Sequence, residues 1–337
     1  MDCKTKDLLF LVSLQRISFL NLAEKINLFK KLDSSDDLAL LSLKDISALC
    51  GRTLRAAWNG SQNLLEAERE TAILQKKKIG WLLHSDADYP ALLRETPNAP
   101  FVLFYRGNAS CLQGRTVSVV GTRGITPQAR RECHAFALAA VCAGYTVVSG
   151  LAQGVDGAAH AGAVDAFFDA EEAGRELPEG RTVAVLPCGC DTVTPYGHRR
   201  LAEHILETGG ALVSEYVPGV PAEPWRFVQR NRIIAALSPA TVVIQAPAGS
   251  GALLTAQFAL DYDRDVLFHK AALSEEAQRV SSVVSSELEE RLKTGAVSRA
   301  KCDNTVRKYL ELGAPVIENF NDYCACMREC PGVRASS

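Results

Sequence analysis

From residue 79 onward the sequence alternates short, wholly apolar, β-branched runs with glycine-rich turns and alanine-rich stretches. Few folds accept that rhythm. The runs are TVSVVG (116–121), YTVVSG (145–150), RTVAVLP (181–187), ALVSEY (211–216), TVVIQA (241–246) and DVLFH (265–269). Between them lie segments of helical composition, such as ARRECHAFALAAVCAG and SGALLTAQFALDY. A strand that is apolar throughout has to be covered on both faces, and parallel neighbours need crossovers of helix length. The pattern predicts an α/β domain built on a doubly wound, mostly parallel sheet.

The first part of the chain has another texture. Residues 1–78 are rich in Leu, Lys, Ser and Asp, with apolar positions at helical spacing: Leu8, Leu11, Val12 and Leu14, then Leu22, Ile26 and Phe29. SLKDISALCG reads as a capped helix ending at Gly51, and ERETAILQKKK as a polar helix running into a lysine triplet. A small all-helical domain of three to five helices is expected over 1–78, the α/β domain over 79–320, and a cysteine-containing tail over 321–337. The acidic stretch DAFFDAEEAGRELPEG (165–180) reads as a surface excursion, residues 274–300 as one solvated helix, and MRECPGVRASS as a frayed end.

Bulk properties remove several classes of function. With 47% hydrophobic residues the 337-residue chain can bury a sizeable core. A net charge of −2 excludes a globally basic coat for duplex DNA, so any nucleic-acid contact has to be a local patch. No apolar run approaches the roughly 18 residues of a membrane helix. The N-terminal apolar stretch carries Asp2 and Asp7 without a small-residue cleavage site, so a cytoplasmic, membrane-free protein is expected. The odd total of 11 cysteines suits free thiols in a reducing compartment. Cys324, Cys326 and Cys330 lack the paired C-x2-C spacing of zinc sites, and no metal is expected.

Three strand-to-helix turns are built for close approach of a backbone to an anion. They are VVGTRGITP with Thr122 and Arg123, VVSGLAQGVDGAAH with Ser149, Gly150 and Gly154, and VIQAPAGSGALLTA with Ser250, Gly251 and Thr255. In an open parallel sheet such turns line the carboxyl ends of the strands, where helix N-termini attract phosphate. The first turn lacks G-x-G-x-x-G, no acidic residue is placed to hold an adenosine ribose, and no G-x4-G-K-[ST] occurs, so hydride transfer and ATP hydrolysis lose ground and no cofactor is expected. Asp156 and His160, four apart, read as packing at a helix start. Cys188 and Cys190 read as a small-residue turn. No catalytic residue is assigned.

Residues 225–238, WRFVQRNRIIAALS, concentrate cations and rings ahead of an apolar run. Phe227, Arg230, Asn231 and Arg232 suit a single-stranded polynucleotide, since cations track phosphates and an aromatic face stacks a base without reading it. They equally suit a brace, with Arg230 or Arg232 paired to Glu215 or Asp156 and Phe227 in the core.

VSVVGTRGITPQAR, VVSGLAQGVDGAAHAGA, GRTVAVLPCGCDTVTPYGHRRLAE, GALVSEYVPGVPAEPWRFVQRNRIIAALS and GSGALLTAQFALDYDRDV, in that order, closely resemble the DNA-processing protein A family. The lead-in DADYPALLRETPNAPFVLFYRGN matches as well, so the resemblance runs over about residues 80–270. It implies an extended Rossmann-like sheet, with an N-terminal domain similar to sterile-alpha-motif domains. It implies a non-enzymatic single-strand DNA-binding mediator of natural transformation, competence and recombination, which protects incoming strands, helps load the RecA recombinase and forms a homodimer. The DNA-binding residues it carries over are Arg123, Ser149, Gly150, Arg230, Asn231 and Arg232, with Phe227 and the Gly249–Ser250–Gly251 turn and Thr255 completing the pocket. The sequence departs from the family pattern at Val228, where the family commonly has Pro, at Gln245, where it usually has Glu, and over 270–310, and the winged-helix domain that many members carry is not expected. Two other readings stand beside it. One is a phosphoribohydrolase-like enzyme, whose catalytic Glu is here Gln257; the other is a scaffold paralogue that no longer binds DNA.

Overall fold

The computed structural model describes residues 7–329 and forms two compact units. The first takes the chain up to Arg106 together with Pro187–Thr192 and Val213–Ala222. The second takes Gly107–Leu186, Val193–Leu212 and the chain from Glu223.

The first unit opens with five helices: α1 (Leu8–Gln15), α2 (Leu22–Lys31), α3 (Ser35–Leu40), α4 (Leu43–Cys50) and α5 (Gly60–Lys76). Capping boxes start three of them, pairing Asn21 with Glu24, Ser34 with Asp37 and Ser42 with Asp45. Each box satisfies two backbone N–H groups that the first helical turn leaves unpaired. Phe10, Leu14, Leu28, Leu38, Ile46 and Leu74 form a core closed to solvent, and Arg16 ties α1 to Glu66 and Glu70 of α5. Then follow β1 (Gly80–Leu83), α6 (Ala91–Arg94) and β2 (Val102–Gly107), with β1 and β2 antiparallel from Gly80↔Tyr105 to Leu83↔Val102.

The second unit carries β3 (Thr116–Val120), α7 (Pro127–Cys142), β4 (Thr146–Ser149), α8 (Val155–Glu172), β5 (Thr182–Val185), α9 (Arg199–Glu207), the first half of β6 (Ala211–Ser214), α10 (Pro224–Ala236), β7 (Ala240–Val243), α11 (Gly251–Asp261) and β8 (Asp265–His269). It ends with α12 (Glu275–Lys293), α13 (Arg299–Cys302), α14 (Val306–Glu311), β9 (Val316–Ile317) and α15 (Phe320–Glu329). Every apolar run named above forms one of its strands. The strand order is β6-β5-β4-β3-β7-β8-β9, and β5 through β9 pair in parallel, as at Ser118↔Thr241 between β3 and β7. The expected α/β, doubly wound, mostly parallel sheet is therefore present. Because the chain leaves β3 toward β4 but returns to β7 on its other side, the order in which strands are added reverses between β3 and β7. The crevice at that reversal is where open α/β sheets bind ligands.

Three details differ from the sequence expectation. The single helix expected over 274–300 is instead α12 (Glu275–Lys293) followed, after a turn at Gly295, by the short α13 (Arg299–Cys302). The acidic stretch 165–180 is not an excursion along its whole length, because α8 continues to Glu172. Ala166, Phe167 and Ala170 are buried, and the Arg181 guanidinium lies 4.6 Å from the Phe167 ring centre. Apolar residues at helical spacing inside the acidic run extend the helix. At the other end, α15 packs Phe320 and Tyr323 into the main core, with Cys324 and Cys326 against it. Cys330 and the expected frayed end lie outside the described residues. Among the described residues no three His, Cys, Asp or Glu side chains gather as a metal site, and no helix is long and apolar enough to cross a membrane.

His160 is fully buried in α8. Its Nδ1 lies 2.7 Å from the Thr182 hydroxyl, which itself donates to the Val147 carbonyl. The hydroxyl must therefore accept, so the ring carries its proton on Nδ1 and presents a bare, buried Nε2 that has no partner among the described residues. Burial, then the nearby His198 and Arg230, push its pKa down to about 3. The native ring stays neutral while the unfolded chain takes up a proton below about 6.5, so stability is full above that pH and is lost as pH falls toward 3. At pH 5 the loss is about 2 kcal/mol. Urea midpoints at pH 7 and pH 5 should show this drop, and His160→Gln should reduce it whatever its effect at pH 7.

Candidate nucleic-acid interface

Side chains inside the central strand fix the helix that forms one wall of the crevice. The Thr116 hydroxyl donates to the Leu237 carbonyl (2.8 Å) and the Ser118 hydroxyl to the Ile234 carbonyl (2.7 Å). These carbonyls belong to the end of α10, where intrahelical partners run out. The polar positions in an otherwise apolar strand thus seat α10 on the sheet. The arginine-aromatic cluster occupies the first two and a half turns of this helix, whose later residues Ile233–Leu237 are core.

The turn after β3 is held in the same way. The Thr122 N–H donates to the Gln245 carbonyl (2.7 Å), and the Gln245 side-chain oxygen accepts from the Thr126 N–H at the start of α7 (3.0 Å). Gln245, where the family has Glu, still supplies the acceptor this turn needs. Gly154 starts α8 with φ +82°, and a Cβ there would lie 2.2 Å from the Thr122 carbonyl oxygen. Two of the glycine turns meet at that point, so Gly154 serves their contact and does not line the cavity.

Together these elements enclose a cavity of about 400 Å³ at the β3–β7 reversal. Of the residues singled out in the sequence, Thr122, Arg123, Phe227, Arg230, Asn231, Ser250, Gly251 and Thr255 line it; Ser149, Gly150, Gly154 and Arg232 do not. Arg123 is exposed, and its guanidinium stands over the Phe227 ring at 5.2 Å from the centroid. The Asn231 amide donates to the Gly251 carbonyl (3.1 Å) and joins α10 to the start of α11. The Thr255 hydroxyl donates to the same carbonyl, so Thr255 forms floor. Ser250 sits at the N-cap of α11 without capping it, and its buried hydroxyl has no partner among the described residues. That hydroxyl and the opening turn of α11 form an anion-seeking end of the cavity.

Four residues take other parts. Ser149 is buried, and its hydroxyl donates to the Val119 carbonyl (2.6 Å). Arg232 is two residues beyond Arg230, about 200° around the helix, and does not line the cavity. Arg230 is only 3% exposed, and its Nη1 donates to the Val185 carbonyl (2.7 Å). Gly150 makes room for it, because a Cβ at 150 would sit 1.8 Å from Nη1. Burial pushes the Asp156 carboxyl up, while Arg230 and the Ala152 and Gly150 N–H groups pull it down. Arg230 therefore lines the cavity as part of a buried charge cluster, which favours the brace over direct phosphate contact. Cys188 and Cys190 are buried in the first unit, and burial pushes the Cys190 thiol above its ordinary range, so they form a packed turn.

The family model for DNA recombination-mediator protein A matches residues 80–308, the crevice and all three turns included. The chain belongs to this family. It is 40% identical over 196 residues to Protein Smf of Synechocystis, a match covering 57% of this chain and 46% of that protein. It is 33% identical over 199 residues to DNA processing protein DprA of Bacillus subtilis, covering 59% and 63%. These matches span about half to two thirds of the relatives' own length. Among solved structures, DNA processing protein A of Streptococcus pneumoniae superposes with a TM-score of 0.65 at 26% identity, over 95% of this chain and 98% of that one. The Helicobacter pylori protein, whose structure was described for its single-stranded DNA binding mode, aligns with a TM-score of 0.55 at 22% identity over 75% and 96%, which shows the shared fold.

The family match extends through the segment that departs from the family pattern in sequence, and the structure gives that segment a place. The Gly249 N–H donates to the Asn304 carbonyl (2.8 Å), and the Leu288 side chain and Lys301 carbonyl close over Gly249. The α12–α13 region thus backs the turn that carries Ser250. Leu288 is buried, as is Ala277, in the largely solvated α12. Leu288→Ala is expected to lower stability by about 2–4 kcal/mol, read from urea unfolding. An unchanged midpoint would show that this segment is not packed as described.

Proposed function

We propose that this protein is a sequence-tolerant single-stranded DNA-binding mediator of recombination and DNA processing, with the β3–β7 crevice as its binding site. The observation that carries this reading is the Arg123–Phe227 pair at a cavity that the unpartnered Ser250 hydroxyl and the N-terminus of α11 also line. A phosphate meets Arg123 or the α11 end, and a base stacks on the Phe227 face that Arg123 leaves open. No base-edge reading is needed, so affinity depends on salt and little on sequence. The single-strand binding described for the Helicobacter pylori relative supports the same ligand.

In the cell the protein acts in the cytoplasm as a homodimer, shields single strands and helps load the RecA recombinase, in natural transformation or in repair. It works by binding, without catalysis or a cofactor. The carboxylate lining the cavity, Asp156, is engaged with Arg230, and Gln257 bonds Asp261 (2.9 Å) and does not line the cavity. Fluorescence anisotropy with single- and double-stranded oligonucleotides at two salt concentrations tests the reading. Single strands should bind more tightly than duplex, and more weakly at the higher salt. Absent or salt-insensitive binding overturns it, and turnover of nucleoside monophosphates favours the phosphoribohydrolase alternative.

A further inference from the structure

Beyond the crevice, the stretch Tyr196–Gly197–His198–Arg199–Arg200 presents an aromatic ring and two cations that the fold itself does not use. Tyr196 is 77% exposed, the most exposed ring among the described residues. The Arg199 guanidinium props it at 4.8 Å from the ring centre. Arg199 and Arg200 are exposed, and neither has a carboxylate partner among the described residues. They occupy the first turn of α9, which contains no acidic residue. Cations there oppose the helix dipole by a few tenths of a kcal/mol each, so helix stability does not explain them.

The segment is anchored beside the crevice. The His198 Nδ1 lies 2.9 Å from the Leu151 carbonyl oxygen, and its ring packs over Gly157 at the start of α8. Leu151 is held with φ +58° and precedes Ala152, which lines the cavity. Tyr196 is two residues from His198, so it stands within roughly 7 Å of that anchor along the chain.

We infer that Tyr196, Arg199 and Arg200 form a second stacking and phosphate-contacting station for single-stranded DNA, continuous with the crevice through His198 and Leu151. This rests on the single-strand reading of the crevice. An exposed ring with a guanidinium on one face accepts a base on the other, and Arg200 meets the adjoining phosphate. A strand too short to leave the crevice does not reach this station; a longer one does.

The test measures binding of oligothymidylates of about 6 and about 20 nucleotides, within and beyond the usual reach of one such site. Wild-type full-length protein is compared with Tyr196→Ala, Tyr196→Phe and the Arg199→Gln/Arg200→Gln double variant. Tyr196→Ala should weaken the longer strand about 5- to 100-fold and the shorter one less than about 2-fold, while Tyr196→Phe keeps the ring and binds both like wild type. The arginine double variant should also lower the salt slope for the longer strand by about 0.7 for each lost phosphate contact. Equal weakening at both lengths, or no weakening at either, overturns the second station while the crevice reading stands. Failure of the wild type to bind either length overturns both.

Discussion

Replacing Arg230 by alanine is expected to lower the stability of the α/β unit by about 3–5 kcal/mol, a larger effect than any single surface cation can have. The guanidinium is buried under the crevice, donates to the Val185 carbonyl at the end of β5, and offsets the charge of buried Asp156. Its removal leaves an uncompensated carboxylate and an unpaired carbonyl in a site water does not reach easily. Asp156→Ala in the Arg230→Ala background should recover part of the loss, because the stranded charge goes with it. Gly150→Ala should act through the same contact, since its methyl group would overlap the guanidinium. Urea unfolding of the three variants separates the roles. If Arg230→Ala unfolds like wild type and loses only DNA affinity, Arg230 is a ligand cation and the brace is wrong.

Arg230 also shows where sequence reading reaches its limit. In WRFVQRNRIIAALS every arginine has the same chemistry, and nothing local says which one turns inward. The distinction is set by helical phase against the sheet, which depends on Thr116 and Ser118 holding the last turn of α10. The isolated Ser118 inside TVSVV was the available signal, as a polar residue in a buried strand needs a partner. The six apolar runs, by contrast, were legible, because a strand covered on both faces has no polar side to hide it. β1, β2 and β9 were harder to find. GWLL and VLFYRG mix exposed and buried positions, and Val316–Ile317 is too short to carry a pattern. The three glycine turns were legible as anion-binding candidates, but not their division of labour. Gly150 and Gly154 serve contacts between neighbouring chain segments, whereas Gly121, Thr122, Arg123, Ala152, Ser250 and Gly251 line the cavity. The backing of that last turn by Leu288 and Lys301 comes from residues some forty to fifty positions away, beyond any local pattern.

Arg123 and Phe227 are expected to give the largest losses of DNA affinity with the fold intact, and to give them as a coupled pair. Phe227→Ala removes a stacking face and should weaken single-strand binding by about 1–3 kcal/mol, or roughly 5- to 150-fold. Arg123→Ala removes a phosphate contact, so its effect should shrink as salt rises and its salt slope should fall by about 0.7. The guanidinium already lies over the ring in the free protein, so each group positions the other. The double variant should therefore lose less than the sum of the two single losses, by about 0.5–1 kcal/mol. Arg123→Lys keeps the charge but not the planar contact, and should retain the salt slope while losing the coupling. Both residues sit at the surface of the crevice and neither belongs to the core cluster, so urea midpoints of all four variants should stay close to wild type. Losses that simply add would place Arg123 and Phe227 on separate parts of the strand. Losses that differ strongly between thymidylate and adenylate strands would show that this crevice reads base edges, because phosphate contact and stacking on one ring face cannot produce that distinction.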